Sequence, residues 1–191
     1  MVDQPLVSVL MTAYNREDYI AEAIESVLSS TYKNFELIIV DDGSVDSTVA
    51  IAKKYAQKDA RIRVYINEQN LGDYNNRNKA ASYATGKYIK YSDSDDLVYP
   101  HCLDVMVRCM EQFPTAAFGL VKPHSSEYTM PYPFLIEKPF EEYMKNQGLF
   151  SNSPGSAIIN RAVFNKLGGF SGKRYVGDYE FWLKISQVTS L

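Results

Sequence analysis

The order of apolar and polar residues predicts an alternation of strands and helices along the first part of the chain. LVSVLMTAYN and FELIIV are short, β-branched apolar runs, and FELIIV is too apolar to alternate, which is typical of a parallel strand covered on both faces. EDYIAEAIESVLSS places its apolar residues on one helical stripe. The same patterns predict strands in RIRVYI and KYIKYS, and helices in DSTVAIAKKYAQK, YNNRNKAASYA and CLDVMVRCMEQF.

Four strand–helix units in series predict a single α/β domain with a mostly parallel central sheet and helices on both faces. The pattern changes after residue 121, because five of the eight prolines fall within residues 122–154. We expect that stretch to be loop-rich and ordered by packing. A strand and short helix are expected again in GSAIINRAVFNKLGGF, and a last helix in DYEFWLKISQ.

Composition narrows the class of protein. The chain has 191 residues, 46% hydrophobic and 23% charged, which suits one globular domain with a sizeable core. Its net charge of −3 and pI near 5.4 argue against general nucleic-acid binding, which needs a basic face. The sequence contains neither an apolar run of the ~20 residues that a membrane span requires nor a signal-peptide pattern. Cys102 and Cys109 share one face of a predicted helix, and we expect core thiols in a reducing cytoplasm.

Acidic residues gather where two predicted strands end. YIKYSDSDD places Asp93, Asp95 and Asp96 after one strand, and FELIIVDDGS places Asp41 and Asp42 after another. Carboxylates this close need a cationic partner, and if the strands are neighbours both tips reach the rim where parallel sheets bind ligands. A hard Mg²⁺ or Mn²⁺ ion takes one or two carboxylates plus phosphate oxygens, so the pattern predicts a metal-bridged nucleoside diphosphate. The alternative is a charged turn and a helix cap.

The segments SVLMTAYNREDYIAEAIESVLSSTYKNFELIIVDDGSVDST, NLGDYNNRNKAASYATGKYIKYSDSDD, GSAIINRAVFNKLGGF and VGDYEFWLKI occur in that order. This ordered set resembles the family-2 glycosyltransferases of the GT-A fold, over residues 5–187. The resemblance implies a single GT-A (Rossmann-like) domain over residues 1–191. It further implies a nucleotide-sugar-binding half at 1–121 and an acceptor-side half at 122–191, with a shortened C-terminus.

The resemblance also implies roles for the residues at the strand ends. Asp41 or Asp42 would accept a hydrogen bond from the base, and Asp93 would face the ribose. Asp95, together with Asp93, would hold Mn²⁺ or Mg²⁺ against the diphosphate, with Asp96 in support. The full set of implied nucleotide-binding residues is Thr12, Ala13, Tyr14, Asp41, Asp42, Arg77, Asp93 and Ser94. For Arg77 the alternative is an arginine on a helix surface.

Sugar transfer also needs a base, because an acceptor hydroxyl attacks roughly 10²–10⁴-fold faster when its proton is removed in the transition state. The resemblance assigns this role to Asp178 in YVGDYEFWLK, in a direct displacement with inversion. Gly177 stands where the family usually has Glu, which puts a neighbouring acidic contact to the acceptor in doubt, and Glu180 is the candidate replacement. Alternatively, Asp178 caps the helix that follows.

The resemblance therefore implies a metal-dependent, inverting, hexosyltransferase-type enzyme. It would move a sugar from a UDP-linked donor to a glycan or lipid-linked glycan during polysaccharide biosynthesis, in the cytoplasm or at the inner face of the membrane. Two alternatives stay open. A haloacid-dehalogenase-type phosphatase also ends a strand in an acidic motif, D-x-D-x-[TV]. In this chain the fifth position of that motif is Leu97, where the phosphatases have Thr or Val. The second alternative is a module that binds a sugar nucleotide without catalysing a reaction. We assign no role to His101 or His124.

Overall fold

The computed structural model describes residues 4–120, 135–145, 150 and 153–188. Within these residues six strands form one sheet, and seven α-helices surround it. The strands are β1 (Val7–Ala13), β2 (Phe35–Asp41), β3 (Ile62–Ile66), β4 (Tyr88–Tyr91), β5 (Phe118–Leu120) and β6 (Ala157–Asn160). The helices are α1 (Ile20–Leu28), α2 (Thr48–Ala56), α3 (Asp73–Ser82), α4 (Cys102–Gln112), α5 (Pro139–Lys145), α6 (Arg161–Leu167) and α7 (Gly177–Ser186).

The strand order in the sheet is β3-β2-β1-β4-β6-β5. The pairs β1–β2, β1–β4 and β2–β3 are parallel, whereas β6 runs antiparallel to both β4 and β5. The predicted mostly parallel sheet in a single α/β domain is thereby confirmed. The two acidic strands, β2 and β4, are not neighbours, because β1 lies between them. All three run in the same direction, so their carboxyl ends still lie on one edge of the sheet.

Two apolar cores cover the two faces of the sheet. Alternate residues of β1 show the division: Val9 and Met11 pack into the core with α1, α2 and α4, whereas Leu10 packs into the core with α3, α6 and α7. The second core is rich in aromatic rings, with Trp182 of α7 stacked on Phe118 of β5 at 5.7 Å between ring centroids. These two cores confirm helices on both faces, as the apolar character of β2 predicts.

Two sequence expectations need correction. The stretch 122–154, much of which lies outside the described residues, contains the helix α5. That helix starts at Pro139 and carries two glutamates in its first turn, both favourable at a helix start. The cysteines are free and lie on α4 as predicted, but both are only half-buried. The face of α4 that packs on the sheet consists of Leu103, Met106, Val107 and Met110.

Candidate functional site

A cleft of about 600 Å³ opens at the carboxyl ends of β1, β2 and β4. The loop that enters α3 and the segment that precedes α7 close its other side. Of the ten site residues expected from the sequence, eight line this cleft, although they come from four separate parts of the chain. They are Thr12, Ala13, Tyr14, Asp42, Arg77, Asp93, Ser94 and Asp95. The two that do not line it are Asp41 and Asp178.

Asp42 faces the cleft and organises the loop before α3. One carboxylate oxygen accepts from Asn67 Nδ2 and from the Leu71 N–H, both at 2.8 Å, and the other accepts from the Gly72 N–H at 3.0 Å. Asp42 is only 4% exposed. The side chain therefore has a structural role in shaping the cleft wall, and its contact with a nucleobase stays a prediction.

Asp41 points away from the cleft into the turn that follows β2. Its carboxylate accepts from the N–H groups of Gly43 and Ser44, at 3.1 and 2.8 Å, and from the Ser44 hydroxyl. Gly43 adopts a positive φ of 83°, a conformation that favours glycine. The turn interpretation of DDGS therefore describes Asp41, and a contact between Asp41 and a nucleobase stays a prediction.

Arg77 supplies the positive charge next to Asp93. It lies on α3 with its side chain 8% exposed, and its Nη1 is 2.7 Å from Asp93 Oδ1 while Nη2 donates to Oδ2 at 3.0 Å. Its Nε donates to Asp73 at 2.8 Å, one turn earlier on the same helix. Burial by itself would lower the pKa of Arg77, but Asp93 and Asp73 raise it above its ordinary value. Arg77 is thus a buried cation bound to two carboxylates, which the helix-surface interpretation did not anticipate.

The two other acids of the SDSDD segment also have cationic neighbours. Arg16, after β1, donates through Nε to Asp95 at 3.1 Å, and both side chains are about two-fifths exposed, at 42% and 43%. Asp96 lies near Lys90, a β4 residue that is only 3% exposed. Burial, followed by repulsion from Asp93 and Asp95, raises the pKa of Asp96. Asp93 and Asp95 are therefore paired with arginines of the protein itself, whereas Lys90 offsets the charge of Asp96 only in part.

Asp178 lies in the first turn of α7, beside the cleft. The N-cap of α7 is Val176, so Asp178 is not the cap residue. Its carboxyl group interacts with the hydroxyl of Tyr74, a residue that does line the cleft. Asp178 therefore adjoins a residue of the cleft wall without lining the cleft itself.

The other acidic and imidazole candidates are engaged elsewhere. Glu180 pairs with Lys173 at 2.6 Å and accepts from Ser171, and these two contacts lower the pKa of Glu180. His101 is exposed at the N-cap of α4 and stacks against Tyr99. His124 lies outside the described residues. Glu180 therefore has partners of its own in the segment that precedes α7.

Several cleft residues carried no sequence signal that we used. Arg16 follows the Tyr-Asn pair at the end of β1, and Tyr74 lies between Gly72 and Arg77. Arg174, just before α7, also lines the cleft. Its guanidinium packs over the ring of Tyr175, 4.9 Å from the ring centroid. These three side chains reach the cleft through tertiary packing, which a local sequence pattern does not reveal.

The donor set at the cleft fits a divalent cation that is shared with a phosphate ligand. Among the described residues, no group of three or more His, Cys, Asp or Glu side chains is arranged to hold a metal ion. Mg²⁺ bound with a nucleotide usually takes only one or two carboxylates, and phosphate oxygens and water complete its shell. Asp95 meets this requirement, because it lines the cleft and is 43% exposed. Asp93 has both carboxylate oxygens on Arg77, so its role as a metal ligand stays a prediction.

An open α/β sheet with a polar cleft at the carboxyl ends of its parallel strands defines a nucleotide-binding class of fold. Within that class, residues 8–168 match the sequence profile of Glycosyl transferase family 2, and the chain belongs to this family. No helix among the described parts of the chain is both long and apolar enough to cross a membrane.

Curated relatives and solved structures agree with this assignment. The chain is 29% identical to the uncharacterized glycosyltransferase RP339 of Rickettsia prowazekii, over 98% of the chain and 60% of that protein. It is 46% identical to the putative glycosyltransferase EpsE of Bacillus subtilis, over 56% of the chain and 39% of that protein. The chain therefore spans less than two thirds of the length of these relatives.

Among solved structures, TarS 1–349 of S. aureus in complex with UDP-GlcNAc is similar, with a TM-score of 0.78 and 25% identity. The likeness covers 96% of this chain and 54% of that one. The mannosyltransferase PcManGT of Pyrobaculum calidifontis, in complex with GDP-Man and Mn²⁺, has a TM-score of 0.73 at 21% identity, over 96% of this chain and 52% of that one. At 21% identity, the similarity to PcManGT shows a shared fold and nothing more.

Proposed function

We propose that the chain binds a nucleoside-diphosphate sugar in the cleft and transfers the sugar to a hydroxyl group of an acceptor. The observation that carries this proposal is the convergence of eight predicted residues, from four parts of the chain, on one cleft. Membership of the family supports a transferase, and leaves the phosphatase alternative without support.

A UDP-linked sugar is the donor that we propose. TarS, the similar structure at 25% identity, is in complex with UDP-GlcNAc. In this chain the nucleoside would lie against Thr12, Ala13 and Tyr14, where the cleft wall is formed by the end of β1. Arg174 is exposed at the opposite wall, where a cation would favour the negative diphosphate.

Asp95 is the residue that would hold Mn²⁺ or Mg²⁺ in this proposal. Bound there, the cation would supply Lewis-acid stabilisation of the charge on the departing diphosphate. Arg16 now shares the Asp95 carboxylate, and it would be free to turn towards the diphosphate once that carboxylate has another partner.

Asp178 is the proposed base. Its carboxylate would take the proton of the acceptor hydroxyl as that oxygen attacks the anomeric carbon and the nucleoside diphosphate leaves from the opposite side. Its contact with Tyr74, a residue of the cleft wall, supports a role at the margin of the cleft. We further propose a glycan or lipid-linked glycan as acceptor, and the cytoplasm, including the inner face of the membrane, as the location.

The experiment begins with donor binding. The protein is screened by thermal shift against UDP-GlcNAc, UDP-glucose, UDP-galactose and GDP-mannose, each with Mn²⁺ and with EDTA. Release of the nucleoside diphosphate is then measured with the best donor, first with water as the only acceptor. We expect a UDP-sugar to give the largest shift. No shift with any donor would refute the proposal, and binding without turnover would favour the non-catalytic module.

Asp178→Asn tests the base. The variant should bind the donor normally and lose roughly 10²–10⁴-fold in turnover, the usual contribution of a general base. Asp104→Asn is the matched control, because Asp104 also lies in the first turn of a helix but pairs with Arg108, outside the cleft. Turnover of Asp178→Asn within a few-fold of the parent would remove Asp178 as the base.

A further inference from the structure

Tyr74 occupies an unusual place between the cleft and the start of α7. It is the second residue of α3, it lines the cleft, and only 8% of its surface is exposed. Its ring packs against Phe170 at 5.4 Å between centroids. A tyrosine this buried is held in one orientation by its neighbours, so its hydroxyl always faces the same hydrogen-bond partner.

Gly177 makes that orientation possible. A Cβ atom at position 177 would lie 2.7 Å from Cδ2 and 2.8 Å from Cγ of the Tyr74 ring. Real Cβ atoms do not approach ring atoms so closely, and a ring within a packed core cannot easily move. The glycine therefore lets the face of the tyrosine lie directly against the first turn of α7.

The Tyr74 hydroxyl reaches the Asp178 carboxyl group, one residue beyond Gly177. Burial, followed by this interaction, raises the pKa of Tyr74 to about 12. The hydroxyl is consequently protonated throughout the neutral range, and it can donate to a carboxylate but cannot take a proton from an acceptor. These properties fit a group that orients a base.

We propose that Tyr74 is a positioning residue that holds the Asp178 carboxylate towards the acceptor. Gly177, which has no side chain, leaves the space that the Tyr74 ring occupies. This inference rests on the proposed function, since it gives Asp178 its task. Tyr74 would contact neither the diphosphate nor the metal ion.

Tyr74→Phe is the central variant, because it keeps the ring and removes only the hydroxyl. With the donor chosen above, we expect kcat for nucleotide release to fall about tenfold, the worth of a hydrogen bond to a charged group, with donor KM unchanged. Tyr83→Phe is the matched control, since Tyr83 stacks on Tyr65 outside the cleft.

The double variant Tyr74→Phe, Asp178→Asn tests whether the hydroxyl acts through Asp178. In the Asp178→Asn background, Tyr74→Phe should cause no further loss of kcat, because the group that it positions is already inactive. A further tenfold loss would overturn the proposal, as would an unchanged kcat in the single variant.

Thermal unfolding supplies a readout that does not depend on turnover. For this comparison Tyr74→Phe is combined with Asp178→Ala, because an asparagine at position 178 could still accept from the tyrosine hydroxyl. If the two side chains interact, the fall in Tm of this double variant is smaller than the sum of the two single falls, and additive falls would overturn the contact. Gly177→Ala should displace the ring and lower kcat as Tyr74→Phe does. Absence of donor binding in the parent would refute the proposed function, while the Tm comparison would still test the contact.

Discussion

Removal of the Arg77 guanidinium should destabilise the protein far more than removal of the Arg16 guanidinium. Both arginines pair with carboxylates of the same loop, Arg77 with Asp93 and Arg16 with Asp95. The two pairs differ in burial: the side chains of the first are 8% and 28% exposed, and those of the second 42% and 43%. The substitutions Arg77→Met and Arg16→Met retain most of each aliphatic stem and remove the charge.

The magnitudes follow from burial. Loss of one partner of a buried ion pair costs about 3–5 kcal/mol, because the remaining charge has no compensation. Asp93 keeps some contact with water, so we expect the lower end, about 3 kcal/mol. Solvent screening limits an exposed pair to about 0–1 kcal/mol, which is our expectation for Arg16→Met. For a chain of this size 1 kcal/mol corresponds to a change in Tm of about 2–4 °C, so Arg77→Met should lower the Tm by about 6–12 °C.

The measurement is urea and thermal denaturation of both variants, without nucleotide or metal ion. Asp93→Asn added to Arg77→Met should recover part of the loss, since it removes the uncompensated carboxylate. Equal losses of stability for Arg77→Met and Arg16→Met would refute the reasoning that burial decides the value of each pair. So would a double variant that is less stable than Arg77→Met alone.

Three further results are expected. Asp95→Asn should make UDP affinity the same in Mn²⁺ and in EDTA by titration calorimetry, and a persistent metal dependence would contradict its role. Asp42→Asn should weaken metal-free UDP binding and speed amide exchange at residues 67–72, because the loop loses a charged acceptor for its N–H groups. Burial acts to raise the pKa of Glu36, but hydrogen bonds from Ser8 and Thr85 and the charge of Arg63 lower it below 4.5. Glu36 thus stabilises the fold above that pH, and the stability of Glu36→Gln should fall less than that of the parent as the pH drops below 4.5.

The sequence predicts the parallel part of the fold well, because each strand and helix there has a clear period and clear ends. It also places the acidic strand ends at one edge of the sheet, since parallel strands deliver their carboxyl ends there. The family resemblance, and not this pattern, pointed to Thr12, Ala13, Tyr14 and Arg77. The sequence does not show which of Asp41 and Asp42 faces the cleft. Adjacent strand residues point to opposite faces, and β2 is apolar on both faces, so its pattern does not identify the face on which either residue lies.

Partners brought together only by tertiary contacts are harder to predict. The ion pair of Arg16 with Asp95 joins residues 79 positions apart, and the buried Lys90 donates to the carbonyl oxygens of Tyr91 and Gly155. Nothing in the local sequence of Lys90 distinguishes it from a surface lysine. The strand β5 and the helix α5 are short, so their periodicity is weak and packing decides their structure.

The placement of β6 has a consequence for incomplete chains. Within the described strands, β6 lies between β4 and β5 and pairs with both. A fragment that stops before Ala157 contains all of β1 to β4, yet one side of β4 then lacks its neighbour. Unpaired backbone groups on such a strand are a template for pairing with another chain, so we expect nascent or proteolysed fragments of this kind to aggregate. The strand that completes the sheet therefore also protects the chain from self-association.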